Sequence, residues 1–354
     1  MRKLQYLWLG LIVAIGFGLV FSSIPAAEAQ SAQKPVVLKM SNYSNAPPIP
    51  YGNAITWYLR RIESATDHRI KFEEYWSGQL LPHRSEPEGL KAGMADLAFF
   101  QLRYQKSTLP LFYVTCLPNA ARDIRTAIAS MNDLAKLPGI QQEFNKYNMV
   151  LVAPGVTDKR GIFSKKPIKK LEDMKGMKIR SEASKVLDGI GATTVNIASG
   201  EMYEALERGV IDGISTSITG GIAWKIPDIS KYYWDGDLGM VSMCGFMNKK
   251  KWDSLPDDIK KIFIKVGVEE LPVMYDYHLR ARGNASAYDE IFPKRGIEVN
   301  RPTEKELARM EDFSKGDWEA AVSFLEKRKL PGREVLDKWV KMNRYYEKFY
   351  AVAP

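Results

Sequence analysis

Short β-branched runs alternate with amphipathic segments along this chain, and that alternation limits the possible folds more than any other feature. The apolar run at 36–40 predicts a strand, and Ile55, Tyr58, Leu59 and Ile62 then recur at the spacing of one helix face. A second strand, a short helix and a third strand complete a β-α-β-α-β pattern by residue 100. Such a pattern predicts a parallel sheet with helices on both faces.

The pattern of strands and helices starts again near residue 149 and runs to about residue 215. Within it, Ser199 is suited to cap a helix over 201–207, and Gly209 is suited to end that helix in the left-handed conformation. From Lys249 onward, long amphipathic stretches predict a helix-rich C-terminal region. The sequence therefore predicts two α/β lobes with a cleft between them, and ligands of open α/β sheets bind beyond the carboxyl ends of the strands.

The N-terminus has the organisation of a secretory signal peptide. Arg2 and Lys3 precede an apolar stretch over 6–21, and a small-x-small cleavage site ends at Ala29. The stretch is shorter than the ~20 apolar residues that a membrane span needs, which disfavours an uncleaved anchor. We therefore expect residues 1–29 to be removed, the protein to be exported to the periplasm, and the mature chain to begin at Gln30.

The mature chain keeps a basic excess. Removal of residues 1–29 takes away two basic residues and one acidic residue, so the formal net charge changes from +9 to +8. Such an excess can steer an anionic ligand toward the protein. The lysine doublets at 165–166, 169–170 and 260–261 and the triplet at 249–251 are scattered among acids. That distribution is typical of solvated faces and argues against a nucleic-acid-binding surface.

Catalytic chemistry finds little support in the sequence. There is no G-x-S-x-G motif, and His68, His83 and His278 lack the close spacing of metal ligands. We expect no enzymatic activity, no metal and no cofactor; a periplasmic hydrolase is the disfavoured alternative. Cys116 and Cys244 lie in apolar contexts, and the sequence leaves open whether an oxidising compartment joins them in a disulfide.

Three ordered motifs stand in the second half of the predicted mature chain. They are KGMKIR at 175–180, GA at 191–192 and EMYEALERGVIDG at 201–213. Supporting pieces are GQL at 78–80, GMAD at 93–96 and NKKKWDSLP at 248–256. In this order the motifs resemble those of TRAP transporter solute-binding proteins, the DctP-like periplasmic subunits, and the resemblance covers nearly the whole mature chain.

The resemblance implies a two-lobed α/β protein of the periplasmic-binding-protein type, which closes on an organic acid. In the family, the arginine that ends the first motif pairs with the substrate carboxylate, and that arginine is Arg180 here. A planar guanidinium presents paired donors that match both carboxylate oxygens, which supports the role on physical grounds. Arg160, at the start of a predicted strand, resembles the second basic contact of many family members.

One departure from the family pattern follows the third motif. Family members often carry an acid and then an asparagine there, whereas this chain has Ser215 and Thr216. A threonine hydroxyl can still donate one hydrogen bond, but it lacks the two-sided pattern of an amide. We expect both residues to contact the ligand, whose part distal to the carboxylate would then be less polar.

Aromatic residues stand near several predicted cleft loops. Phe100 and Gln101 match a wall of the family cleft, and Tyr43 and Trp234 lie near other strand ends. We expect these four residues to contact the ligand. The rings favour an aromatic or branched acid.

The strand pattern and the resemblance together suggest the boundaries of the lobes. The first lobe is expected over 30–157 with a returning segment at about 246–285. The second is expected over 158–245 with the helical C-terminal segment at about 286–354. The expected function is capture of a small organic carboxylate and delivery to a TRAP-type membrane transporter. A ligand-sensing protein that reports to a receptor is the alternative, which the sequence does not separate from transport.

Overall fold

Two β-sheets covered by helices organise the protein, as seen in a computed structural model that describes residues 34–82, 84–181 and 184–352. The predicted signal peptide at 1–29, its cleavage site and His83 lie outside these residues. Both sheets belong to one compact unit, Pro35–Pro354. The fold class expected from the strand pattern is therefore present within a single unit.

The first sheet has five strands in the order β2-β1-β3-β10-β4. The second has six strands in the order β11-β9-β5-β8-β6-β7. The strands are β1 (Val36–Asn42), β2 (Ile70–Tyr75), β3 (Leu97–Gln101), β4 (Met149–Ala153), β5 (Arg160–Ser164), β6 (Lys178–Arg180), β7 (Thr193–Val195), β8 (Gly213–Ser217), β9 (Tyr232–Trp234), β10 (Met243–Asn248) and β11 (Glu298–Asn300).

Thirteen α-helices cover the sheets in the part of the chain that the structure describes. They are α1 (Pro50–Ala65), α2 (Glu86–Lys91), α3 (Ile124–Leu134), α4 (Pro138–Lys146), α5 (Ser184–Ile190), α6 (Met202–Glu207), α7 (Ile218–Ala223), α8 (Lys249–Ser254), α9 (Asp257–Ile264), α10 (Leu271–Tyr275), α11 (Phe292–Arg295), α12 (Glu304–Glu326) and α13 (Gly332–Val352). Helices α9 to α11 are joined by π-helical turns into one long segment over 257–295.

The prediction of a parallel first sheet is correct for three strands and wrong for the sheet as a whole. Strands β1, β2 and β3 are parallel, as the β-α-β-α-β pattern indicates. Strand β10 lies antiparallel between β3 and β4. All six residues of β10 are buried, and such a strand shows no alternation of apolar and polar residues by which the sequence could identify it.

Two segments connect the sheets and pair with each other. They are residues 154–159, which lead from β4 to β5, and residues 235–242, which lead from β9 back to β10; we call the pair the linking ribbon. Val156 and Ser242 form an antiparallel bridge. The amide of Thr157 donates to the Val241 carbonyl at 2.8 Å, and the Arg160 amide donates to the Gly239 carbonyl at 3.0 Å. The ribbon therefore places the start of β5 beside the first sheet.

The helical segments divide between two groups of core residues. Leu279, in the long helical segment, packs with the core of the first sheet, whereas Ala287, further along, packs with the second. Helix α13 contributes Val335, Leu336 and Trp339 to the core of the first sheet. Helix α13 thus packs with the core of the first sheet, whereas Met310 on α12 packs with a core of the second. The expected grouping of 286–354 with the second lobe stays a prediction. Cys116 and Cys244 are both free thiols.

Candidate functional site

A small cavity lies between residues of the two sheets, beside the linking ribbon. Thr157, Arg160 and Val241 line it from the ribbon and the start of β5. The space open to the centres of water-sized molecules is about 60 Å³. Pockets for drug-sized compounds measure ~300–1,000 Å³, so this cavity suits a much smaller ligand.

The wall from the first sheet consists of residues at strand ends. Tyr43 follows β1 directly and Gln101 is the last residue of β3, so the two parallel strands deliver both side chains to the same edge. The Gln101 amide donates a hydrogen bond to the Tyr43 hydroxyl, which lies 3.9 Å from the Met243 sulfur. Burial raises the pKa of Tyr43 well above its usual value. The hydroxyl therefore stays protonated and can donate to an acceptor.

The wall from the second sheet holds Arg160 and Thr216. Strands β5 and β8 are antiparallel, and Arg160 is paired with Ser217, next to Thr216. The Arg160 side chain is buried, and its Nε donates to the Gly239 carbonyl at 3.3 Å. Its guanidinium also donates to the Leu238 carbonyl. The linking ribbon therefore fixes the position of this guanidinium at the cavity.

Close strand packing beside Arg160 depends on a glycine. A Cβ atom on Gly161 would lie 2.3 Å from the Trp234 carbonyl oxygen and 2.5 Å from the Tyr233 hydroxyl. Both distances are shorter than any real Cβ contact. Only glycine therefore lets β5 and β9 approach as they do, and this approach sets where β5 begins at the cavity.

Four of the eight predicted ligand contacts line the cavity: Tyr43, Gln101, Arg160 and Thr216. The other four lie elsewhere. Phe100 is fully buried and stacks on Phe246 with ring centroids 5.0 Å apart. Trp234 is buried in the core of the second sheet.

The remaining two predicted contacts, Arg180 and Ser215, lie next to each other in the second sheet. The Arg180 Nε donates to the Ile197 carbonyl at 2.9 Å, and one terminal nitrogen contacts the Ser215 carbonyl at 3.5 Å. Both side chains are buried. Arg180 is paired with Ile214 on the parallel neighbour β8, which places it two residues before the level of Thr216.

The ionisable lining of the cavity is cationic. Arg103 and Arg160 line it, and no aspartate or glutamate among the described residues does so. Two guanidinium groups beside a small, partly enclosed space create a positive potential there. An anionic group is the occupant that this arrangement favours.

Residues 41–323 match the model of the DctP family, described as bacterial extracellular solute-binding protein, family 7. The chain belongs to this family. The match covers most of the chain and confirms the resemblance to TRAP transporter solute-binding proteins that the motifs at 175–213 carry.

Curated relatives of this family-7 protein are distant in sequence. A solute-binding protein of Albidiferax ferrireducens is 26% identical over 221 residues, which span 60% of this chain and 64% of that protein. The C4-dicarboxylate-binding periplasmic protein DctP of Rhodobacter capsulatus is 26% identical over 248 residues, with 66% of this chain and 72% of that protein covered. The chain thus spans about two thirds of the length of these relatives.

The fold of this family-7 protein is found among solved structures. A TRAP solute-binding protein from Rhodoferax ferrireducens T118, in complex with copurified benzoate, superposes with a TM-score of 0.79 at 20% identity. The superposition covers 89% of this chain and 99% of that one. At this level of identity the likeness concerns the fold, and it confirms the predicted two-lobed α/β architecture.

A contact across the cleft joins the two lobes of the family-7 protein. The Arg103 guanidinium, after β3, donates to the Ser199 hydroxyl at 3.0 Å, and the Tyr104 hydroxyl lies 3.2 Å from the same oxygen. The prediction that Ser199 caps the helix over 201–207 is wrong, because α6 begins at Met202 and its side-chain cap is absent. Gly209 does adopt the predicted left-handed conformation, with φ 71°.

Sequence reasoning missed Arg103 and Ser199 as a pair. They stand 96 residues apart, and no local pattern connects residues at that separation. A partial signal exists, because Arg103 follows the carboxyl end of β3 by two residues, where ligands of α/β sheets bind. The partner Ser199 carries no such signal.

Removal of the Ser199 hydroxyl is expected to lower the stability of the closed form relative to the open form of the protein. Each hydrogen bond contributes about 0.5–1.5 kcal/mol, so Ser199→Ala should lower ligand affinity by roughly threefold to tenfold, mainly through faster dissociation. Stopped-flow dissociation of a ligand found by screening measures this. Ser199→Thr keeps a hydroxyl and serves as the control. An unchanged dissociation rate in Ser199→Ala would show that the contact does not hold the lobes together.

Asp158, in the linking ribbon, connects the ribbon to α7. Its carboxylate accepts hydrogen bonds from the Thr219 hydroxyl and, at 3.2 Å, from the Thr219 amide. Burial raises the pKa of Asp158 to about 6, against the opposing effect of these hydrogen bonds. Since Thr219 lines the cavity, this contact couples the position of one cavity wall to the ribbon.

No helix in the described part of the family-7 protein is both long and apolar enough to cross a membrane. Within the same residues, no group of three or more histidine, cysteine, aspartate or glutamate side chains is placed to hold a metal ion.

Proposed function

We propose that this protein captures a small organic carboxylate in the periplasm and delivers it to the membrane subunits of a TRAP transporter. The observation that carries the proposal is the lining of the cavity, in which Arg103 and Arg160 face a small space that no acid lines among the described residues. The names of relatives support it, since the Rhodobacter capsulatus protein is a C4-dicarboxylate-binding protein and the Rhodoferax ferrireducens structure contains benzoate.

Arg160 is the proposed primary partner of the carboxylate. It is buried, and its guanidinium donates to the neutral carbonyl oxygens of Leu238 and Gly239. A carboxylate is a stronger acceptor for a guanidinium than a carbonyl is, because the bond is charge-assisted. Thr216, Tyr43 and Gln101 can supply neutral hydrogen bonds around the bound acid.

Arg180 is proposed as a second donor. Its contact to the Ser215 carbonyl, at 3.5 Å, is at the long limit of a hydrogen bond. A charged acceptor near Thr216 would compete well with that carbonyl for one terminal nitrogen. The bond from Nε to the Ile197 carbonyl, at 2.9 Å, can meanwhile hold the side chain in place. In this proposal Ser215 contributes only its backbone carbonyl, which contacts Arg180 when no acid is bound.

The rest of the cavity wall favours a ligand with an apolar body. Ile49, Met243 and Leu279 line it together with the Trp224 ring. An aromatic or branched monocarboxylate would place its charge at the arginines and its body against these side chains. Phe100 and Trp234 would support the walls from behind, since both belong to the packed cores.

Two further statements complete the proposal. Solute-binding proteins are not enzymes, and we propose that this chain likewise binds its ligand without chemistry. We also propose that the exported chain is cleaved near Ala29, as the organisation of residues 1–29 indicates. Closure of the lobes would be driven by the higher affinity of the closed form for the ligand.

A thermal-shift screen of carboxylates on the mature protein tests the function. Ligand at 100 times its dissociation constant stabilises the folded state by about 2.7 kcal/mol, which should raise the melting temperature by several degrees. Benzoate, 2-oxo acids and dicarboxylates form the test set, and their neutral amides form the matched control set. Stabilisation by sugars or amides, with none by any carboxylate, would overturn the carboxylate proposal.

A further inference from the structure

The end of the second sheet that faces away from the cavity carries a dense group of lysines. Strand β5 runs from Arg160 at the cavity to Ser164, and the antiparallel strand β6 starts at Lys178 on that same far edge. Six exposed lysines lie between these points, and we call them the lysine end. They are Lys165, Lys166, Lys169, Lys170, Lys175 and Lys178.

The acids near the lysine end are occupied by structural contacts. Asp212 accepts from the Lys166 side chain at 3.2 Å and from the Lys178 amide at 2.9 Å. Asp173 accepts from the backbone amides of Lys169 and Lys170 at 2.8 and 3.1 Å. These carboxylates therefore cap the backbone and leave most lysine side chains to the solvent.

Among the described residues, Lys166 is the one member of the six that forms an ion pair, with Asp212; Lys169, Lys170 and Lys175 form none. Each has an exposed side chain. The nearby acid Glu172 pairs with Arg309 at 2.8 Å, so its charge is compensated by that arginine and not by these lysines. The lysine charges therefore create a positive potential at the surface. The patch is therefore a net cationic surface and not a balanced network of ion pairs.

The surface between these lysines is open and shallow. A groove of about 460 Å³ lies between Lys166, Lys169 and Lys175; Asp173 and Asp212 also line it, and Gly176 forms part of its floor. A Cβ atom on Gly176 would meet nothing within 4 Å, so the groove faces solvent there. Val210, two residues before Asp212, presents an exposed apolar side chain, with 57% of its surface accessible.

We propose that the lysine end binds the surface of an anionic phospholipid bilayer. The basic side chains at 164–178 are all lysines, which act as hydrated point charges; recognition of carboxylates on a protein partner favours the planar fork of arginine. Clustered lysines are attracted to anionic headgroups without a requirement for fixed geometry. Val210, close in sequence to Asp212 at the groove, can reach the interface beside the lysines.

The position of the lysine end suits this role. A five-residue strand separates Arg160 from Lys165, which corresponds to about 16 Å at ~3.3 Å per residue. Contact with a bilayer through the lysine end would therefore leave the cavity clear of the lipid. It would hold an extracellular solute-binding protein at the membrane where a transporter resides.

Cosedimentation with lipid vesicles tests the inference. We expect the mature protein to bind vesicles with about 30% phosphatidylglycerol in phosphatidylcholine at low salt, and to dissociate at about 0.5 M salt, where screening is strong. Each lysine near such a surface strengthens binding about fivefold, so the triple variant Lys169→Gln, Lys170→Gln and Lys175→Gln should bind roughly 100-fold more weakly.

A charge-matched variant provides the control. Lys250→Gln, Lys261→Gln and Lys265→Gln remove the same charge from exposed lysines on and next to α8 and α9, which pack with the first sheet. This variant should bind the vesicles within about threefold of the unmodified protein, because its lysines lie away from the proposed surface. Thermal unfolding of all three proteins checks that the fold is retained.

Two results would overturn the inference. One is the absence of binding to phosphatidylglycerol vesicles at low salt, which would leave an acidic protein surface as the occupant of the lysine end. The other is an equal loss of binding in both triple variants, which would assign the attraction to net charge alone. The experiment contains no carboxylate ligand, so its failure and the failure of the proposed function are separate outcomes.

Discussion

A methionine in place of Arg160 is expected to weaken carboxylate binding by roughly 30-fold to several-thousand-fold. Loss of one member of a desolvated charge pair costs about 2–5 kcal/mol, because the other charge stays buried without its partner. Arg160 meets the condition of burial, since only 3% of its surface is accessible. Calorimetric titration with the acid found by the thermal-shift screen measures the loss.

Two companion variants make the Arg160 result specific. Arg160→Lys keeps the charge and loses the planar fork, so it should recover only part of the affinity. Arg309→Met removes a guanidinium from an exposed ion pair with Glu172, outside the cavity, and should leave the dissociation constant unchanged. A folded Arg160→Met protein with unchanged affinity would remove Arg160 from the site and leave Arg103 and Arg180 as the remaining candidates.

Truncation of Phe246 to alanine is expected to destabilise the folded state by about 3–5 kcal/mol. Phe246 is fully buried on β10, stacked on Phe100 at 5.0 Å and edge-on to Phe144 at 5.2 Å between ring centroids. Its removal leaves a cavity beside β10, which lies between β3 and β4, and these two strands restrict relaxation. Denaturant unfolding followed by circular dichroism measures the change.

Phe349→Ala is the matched control for this large effect. Phe349 lies on α13 with 52% of its surface accessible, so its truncation should change stability by no more than about 0.5 kcal/mol. Phe246 does not line the cavity, and a Phe246→Ala protein that remains folded should bind ligand normally. A loss of stability below 1 kcal/mol would contradict the assignment of Phe246 to a packed core.

The sequence predicts most of the elements because their signals are local. Strand β1 contains the predicted strand at 36–40, and α1 contains the predicted helix face from Ile55 to Ile62. In each case the periodicity or the flanking residues lie within the element itself. The family motifs are local in the same sense, since each is a continuous run of residues.

The elements that the sequence did not predict depend on distant partners. Strands β9 and β11 have only three residues each, which is too short for a periodic signal; β9 pairs with β5 and with β11, and β11 forms the edge of the second sheet. Strand β10 is buried on both faces. Its place in the first sheet follows from pairing with β3 and β4, which no local pattern indicates.

The candidate site likewise contains residues that the sequence predicts and residues whose position depends on the fold. Arg160 and Thr216 were predicted through a resemblance, and the pairing of β5 with β8 brings them to one cavity wall. Phe100 was predicted at a cleft wall because it matches a wall of the family cleft, but side chains alternate along a strand. Gln101 faces the cavity, and its neighbour Phe100 therefore faces the core. A shift of one residue along β3 therefore decides whether a side chain lines the cavity or packs in the core.

The position of β10 between β3 and β4 determines the order in which the molecule can assemble as the exported chain emerges from its N-terminal end. Strands β3 and β4 are complete by Ala153, yet the strand that joins them starts at Met243, about 90 residues later. The second sheet, apart from β11, can form from the intervening chain before that strand emerges. Until then the nascent first sheet exposes two unpaired strand edges, which are templates for aggregation. The strand that protects these edges is therefore the last of the five strands of the first sheet to become available. A chaperone that binds exposed strand edges would have to remain bound until β10 has paired.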